Sequence, residues 1–127
     1  MLITWKSVSE PPEIKLNKSD SHLYTVILVD YDNDQPLFLH MLYYNVSGQE
    51  EGGDVIVKYT PPKPPAGQRH RYEILVFDQL GKRKIAETMR NGPGFRLEML
   101  GLREEEAIAR KMCESDGNKL YNCNKIL

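Results

Sequence analysis

The sequence predicts a mainly β fold, with helix confined to the last third of the chain. Three observations predict it. The runs Leu23–Asp30 (LYTVILVD) and Leu37–Val46 (LFLHMLYYNV) are rich in β-branched and aromatic residues and apolar on both faces, the pattern of strands covered on both sides. Clusters of proline, glycine, asparagine and aspartate separate such runs over the first two thirds of the chain. Strong helix formers run through 102–114.

Taken in order, residues 2–5 form a short apolar edge strand. The pair Pro11-Pro12 stops regular structure, and a short strand resumes over 13–16. Leu23–Asp30 is a central strand, ended by the turn cluster 30–36. Leu37–Val46 is a second, and 54–60 (DVIVKYT) a third. The stiff loop 61–69 holds Pro61, Pro62, Pro64, Pro65 and Gly67, and the strand 70–78 (HRYEILVFD) follows it. Residues 83–90 suit a short helix or strand. Residues 95–100 suit one or two helical turns, with Gly101 as the C-cap. In 102–114, Glu106 and Arg110 stand four apart in the favourable order, which predicts a helix. The tail beyond Ser115 reads as polar and loosely held. No period of 20–50 residues recurs, which excludes solenoids and propellers.

The 127 residues suit a single domain spanning 1–127, since one core typically takes about 100–150 residues. Seventeen Lys and Arg nearly cancel eighteen Asp and Glu, for a net charge of −1. That balance provides no general attraction to nucleic acid or to anionic membranes. The longest uncharged apolar stretch, 23–29, falls far short of the roughly 20 residues of a membrane span. The first residues lack the basic start and apolar run of a secretory signal, so a cytoplasmic location is expected. Cys113 and Cys123 match no zinc-ligand spacing and are expected to be free thiols in a reducing compartment. No metal and no cofactor is expected.

Three polar residues stand out against this pattern. Asp30 ends a buried strand, His40 lies within an apolar one, and His70 starts another directly after the Pro/Gly loop. Side chains alternate faces along a strand, so His40 is expected on the face of Phe38 and Leu42, and Tyr72 on that of His70. Were the strand ends to meet, Asp30, His40, His70 and Tyr72 would converge on one polar pocket rimmed by 61–69. Two imidazoles, a phenol and backbone N–H groups near Gly67 suit an oxyanion. The plainer reading gives a core histidine bonded to a carbonyl, a turn-forming aspartate and a stiff connector.

Three blocks carry a resemblance to a known family: LYTVILVDYD (23–32), FLHMLYYNV (38–46) and DVIVKYTPPKPPAGQRHRYEILVFDQ (54–79), the last with the triplet His70-Arg71-Tyr72 after a Pro/Gly loop. In order and spacing they resemble the phosphatidylethanolamine-binding protein family, which includes the Raf-kinase inhibitor proteins and plant flowering-time regulators. The resemblance implies a large antiparallel sheet, a second sheet packed against it and a short C-terminal helix. It also implies a pocket for a phosphate-containing small molecule or phospholipid head group. Asp30, His40, His70 and Tyr72 would line that pocket, with Pro64, Pro65 and Gly67 in the loop beside it. It implies further that the chain is a binding module that modulates a protein partner such as a kinase, rather than an enzyme.

The chain departs from the family pattern at the turn 30–34, where Asp30-Tyr31-Asp32-Asn33-Asp34 replaces Asp-Pro-Asp-x-Pro and both prolines are gone. The segment 32–40 is several residues shorter than usual. Met41 replaces the usual aromatic. The family also continues as strand where propensity reads helix at 102–114. These changes predict weaker anion binding, with Asp34 repelling the ligand and binding strengthening as pH falls through about 6.5. A pure interaction protein with a vestigial pocket is the alternative. A hydrolase using the histidine pair ranks below both, because no G-x-S-x-G elbow or H-E-x-x-H motif is present.

Overall fold

The computed structural model describes residues 1–33, 37–49, 53–84 and 88–125. Two short strands, β1 (Leu2–Thr4) and β2 (Glu13–Lys15), pair antiparallel as a separate small sheet. The main sheet is built from β3 (Leu23–Asp30), β4 (Leu37–Val46), β5 (Asp54–Val57), β6 (His70–Gln79), β7 (Gly92–Phe95), β8 (Ala109–Ser115) and β9 (Leu120–Lys125). Among the described residues its order is β5-β4-β3-β6-β8-β9, with β7 also paired to β4, and every pairing is antiparallel.

The central strands are covered on both faces, as their uninterrupted apolar runs require. One face carries Tyr24, Val26 and Leu28 of β3, Tyr72, Ile74 and Val76 of β6, and Met41 of β4, and the small sheet packs over it through Trp5, Ile3 and Ile14. The other carries Ile27, Val29, Leu42, Leu75 and Phe77, covered by Phe95, Leu97, Leu100 and Leu102. Trp5 is buried, donates its indole N–H to the Glu10 carbonyl at 3.1 Å and meets Tyr59 and Tyr72 edge-on.

Expectations for the last third are corrected. Residues 102–114 hold no helix: a 3-10 turn at Glu104–Glu106 leads into β8. The exposed backbone edge of β6 needs a partner, and β8 supplies one along seven residue pairs, from His70↔Ser115 to Val76↔Ala109. The expected short C-terminal helix is reduced to 3-10 turns, whereas the helical turn expected at 95–100 is present as Leu97–Leu100 and is capped as expected by Gly101, in the left-handed region at φ 71°. The tail beyond Ser115 is not loose, because β9 pairs with β8. Residues 83, 84 and 88–90 adopt no regular structure, and 85–87 lie outside the described residues.

The two cysteines are also corrected, since Cys113 and Cys123 form a disulfide across β8 and β9. A register shift between the pairs Met112↔Asn124 and Glu114↔Tyr121 gives β9 one extra residue. Asn122 takes a left-handed conformation there (φ 48°), which asparagine tolerates better than most residues. The bulge brings Cys123 opposite Cys113. No helix among the described residues is long and apolar enough to cross a membrane.

Candidate functional site

Asp30 and Tyr72 are direct partners across β3 and β6, and Asp30 faces Phe38 across β3 and β4. Tyr72 lies with the core on the small-sheet side, and His70, two residues before it, takes the same face. His70 Nδ1 donates to Asp30 Oδ2 at 2.7 Å, and the two side chains are 13% and 7% exposed. The second Asp30 oxygen accepts the backbone N–H groups of Asp32 (2.9 Å) and Asn33 (3.0 Å). Asp30 thus builds the turn that ends its own strand and aims an imidazole across the sheet.

His40 reaches the same face by a different route. Leu28 pairs with Met41 and Val29 with Leu39, so His40 is the extra residue of a β-bulge. The expectation that it shares a face with Leu42 is corrected, because Leu42 and Leu39 belong to the opposite core. The bulge turns His40 onto the face of Tyr72, with ring centroids 5.3 Å apart, and against Phe38 at 4.7 Å. Its Nδ1–H donates to the Thr60 carbonyl at 2.7 Å, and the Thr60 N–H returns a bond to the His40 carbonyl at 2.9 Å. A carbonyl only accepts, so Nδ1 carries the proton and Nε2 of the neutral ring is an acceptor. Burial holds the His40 pKa below the usual histidine value, against the opposing pull of the Thr60 carbonyl and Asp30.

The Tyr72 hydroxyl is buried and makes no hydrogen bond. Asp30 and the Lys63 backbone come near it without reaching bonding geometry. Burial first, and the Asp30 charge second, push its pKa well above the ordinary tyrosine value, so it is a neutral O–H donor.

The loop 61–69 lies beside this cluster with unequal contributions. Pro62 is buried and Pro64 half-buried, whereas Pro65 and Gly67 are exposed. Gln68 N–H donates to the Pro65 carbonyl at 3.0 Å, closing a turn that needs Gly67 at φ 79°. That turn presents Gln68, whose side-chain amide oxygen lies 3.1 Å from His70 Nε2. Sequence reasoning missed Gln68, although its place two residues before His70 on an extended segment marks the same face. It also missed Thr60 and the Arg71–Asp32 clamp. The Arg71 guanidinium and backbone N–H bond Asp32 at 2.6 to 3.1 Å and hold its carboxyl below the usual range. Asp34 lies outside the described residues.

Two surface grooves lie elsewhere. The larger, about 1130 Å³, runs between β2 and the β3–β4 face past Ile14, Val26 and Tyr43. The smaller, about 370 Å³, lies between 56–60 and 89–91. Among the described residues no group of His, Cys, Asp and Glu side chains could hold a metal ion.

Residues 3–119 match the family model described as phosphatidylethanolamine-binding protein. The rice (Oryza sativa subsp. japonica) protein MOTHER of FT and TFL1 homolog 2 is 29% identical over 86 residues, 61% of this chain and 49% of that protein. The chain therefore spans about half the length of the curated relative it matches.

Proposed function

The chain belongs to the phosphatidylethanolamine-binding protein family, whose members are regulatory and binding proteins, and we propose that it is a non-enzymatic regulatory module of one domain, in the cytoplasm, whose Asp30–His40–His70–Tyr72 cluster binds a small phosphate-type anion. The unpartnered Tyr72 hydroxyl carries this reading. A buried hydroxyl without a partner costs roughly 1–3 kcal/mol, a cost that an oxyanion accepting its proton removes. His40 supports a protonated anion at neutral pH, because its Nε2 accepts a P–O–H bond while the ring is neutral and donates once the ring is charged. Gln68 swings off His70 Nε2 to admit the ligand. A free phosphomonoester and a phospholipid head group share this chemistry. Through the surface around the pocket the module modulates a protein partner such as a kinase.

One observation favours the pure interaction module. Asp30 and His40 are already hydrogen-bonded within the chain, Asp30 to His70 and the 32–33 backbone and His40 to Thr60. The two readings separate in a titration of orthophosphate and O-phosphoserine, followed by imidazole resonances in wild type and Tyr72→Phe. The ligand reading expects saturable shifts at His40 and His70, with affinity about tenfold weaker in Tyr72→Phe, the worth of one hydrogen bond to a charged group. Unmoved imidazoles at millimolar ligand overturn it and leave the interaction module. Vesicles with and without phosphatidylethanolamine separate a head group from a free phosphate.

A further inference from the structure

We propose that the Cys113–Cys123 disulfide is a redox-controlled brace for the 61–69 loop, so that its reduction loosens the wall of the candidate pocket; the effect on ligand rests on the anion-binding reading above.

Four contacts carry the argument. Cys113 is fully buried and stands directly opposite Tyr72 across β6 and β8, in the same core. The bond closes a ring over 113–123, whose turn holds Gly117 against the pocket loop. A Cβ on Gly117 would meet Pro64 Cδ at 3.5 Å and the Pro62 carbonyl at 3.6 Å. The Arg69 guanidinium lies 3.8 Å from the centroid of the Tyr121 ring and 3.9 Å from Glu114. Both ends of the loop 61–69 therefore lean on one hairpin, and the disulfide ties the two strands of that hairpin. β9 is an edge strand of this sheet, and its ladder is interrupted by the bulge at Asn122, so its pairing is weak without the covalent tie.

The two sulfurs differ in access. Cys123 is exposed and Cys113 is not, so an incoming thiolate attacks Cys123. The S–S bond breaks, a mixed disulfide forms at Cys123, and the Cys113 sulfur leaves and takes up a proton. A second thiol of the same reagent then attacks the mixed disulfide. A dithiol is thereby oxidised to a disulfide while the protein gains two electrons and two protons as two S–H groups. A monothiol needs a second molecule for that step, in competition with the returning Cys113 that re-forms the ring, so a dithiol of the thioredoxin class is the more effective reductant. In a reducing compartment a disulfide that forms at all is commonly transient and redox-sensing.

The test compares the full chain oxidised, reduced with dithiothreitol, and as Cys123→Ser, which keeps the buried Cys113 in place. Amide hydrogen exchange is followed in the loop at Gln68, whose N–H is bonded to the Pro65 carbonyl, at 117–121, and at β3 as a control, alongside orthophosphate titration. Reduction and Cys123→Ser should each speed exchange in the loop and the hairpin tenfold or more, leave β3 protected, and weaken phosphate three- to tenfold. Unchanged exchange in the loop overturns the brace, even where phosphate binds. Loss of protection in β3 as well overturns it in favour of global unfolding. A faster loop with unchanged phosphate affinity overturns the coupling to the site. A faster loop with no phosphate bound in any form leaves the brace standing and removes the anion-binding reading instead. Two titratable thiols in the air-oxidised protein overturn the proposal outright.

Discussion

At Asp30 one carboxylate turns the chain and orients an imidazole at once, and at His40 a ring is held by a carbonyl from a different loop. The burial of that ring sets its pH behaviour. Burial lowers the folded pKa of His40 below its unfolded value near 6.5. Between those values the unfolded chain binds the extra proton, so His40 contributes stability that is complete above about pH 6.5 and is lost as pH falls through its folded pKa. The His40 Hε1 resonance should therefore titrate below 6.5. The urea midpoint should fall between pH 7 and pH 5 in wild type, and less steeply in His40→Gln. The His40 share of any strengthening of phosphate binding also moves below 6.5, later in acidification than an unperturbed histidine predicts. His70 and Tyr72 were legible in the sequence because plain alternation puts them on one face. The contacts of His40 were not, because a bulge is a departure from alternation and leaves no signature in residue types.

Among the strands, β8 shows how an edge overrides propensity. Most of its residues, Ala109 to Met112 and Glu114, are good helix formers whose intrinsic preferences amount to a few tenths of a kcal/mol each. Seven backbone pairings along β6 outweigh that sum. The choice also places Arg110 beside Glu73, a fully buried carboxylate on the core face opposite the candidate site. Arg110 bonds both Glu73 oxygens at 2.9 Å and Glu104 at 2.6 Å, and Tyr31 bonds Glu104 at 2.5 Å. Burial raises the Glu73 pKa despite this partner. Arg110→Met leaves the carboxylate buried and uncompensated, and should cost about 3–5 kcal/mol at neutral pH. A group with a raised folded pKa gains stability below its unfolded value and loses it as pH rises. The deficit of Arg110→Met should therefore shrink as pH falls and Glu73 protonates, measured as urea midpoints from pH 7 to pH 4. A disulfide pairing with its bulge could not be read from two cysteines ten residues apart, since Asn122 matters only once β9 is known to be a strand.

Across the whole molecule, the main sheet is closed on one side by the small sheet and on the other by the turns after β7. The strong central runs made the interior of β3, β4 and β6 legible; the covers were less so, because short segments such as Leu2–Thr4 carry little periodicity. Trp5 joins the small-sheet cover to the candidate site through its edge contact with Tyr72. Trp5→Ala should cost about 3–5 kcal/mol, a large share of the 5–15 kcal/mol typical of folded domains. Trp5 is the sole tryptophan, so the measurement is urea unfolding followed by far-ultraviolet circular dichroism.

The bulge at His40 has a consequence for descent. Leu39 and Met41 already face their partners on β3, and the imidazole sits between them as a surplus residue. Loss of its single codon would close the ladder and leave every other partner of β4 in place, whereas loss of the codon for Leu42 would shift a strand and turn one core toward the other. The sheet can therefore be inherited with or without one of its two site imidazoles. A lineage could shed the candidate site's second imidazole here in one step and keep the shape of the sheet.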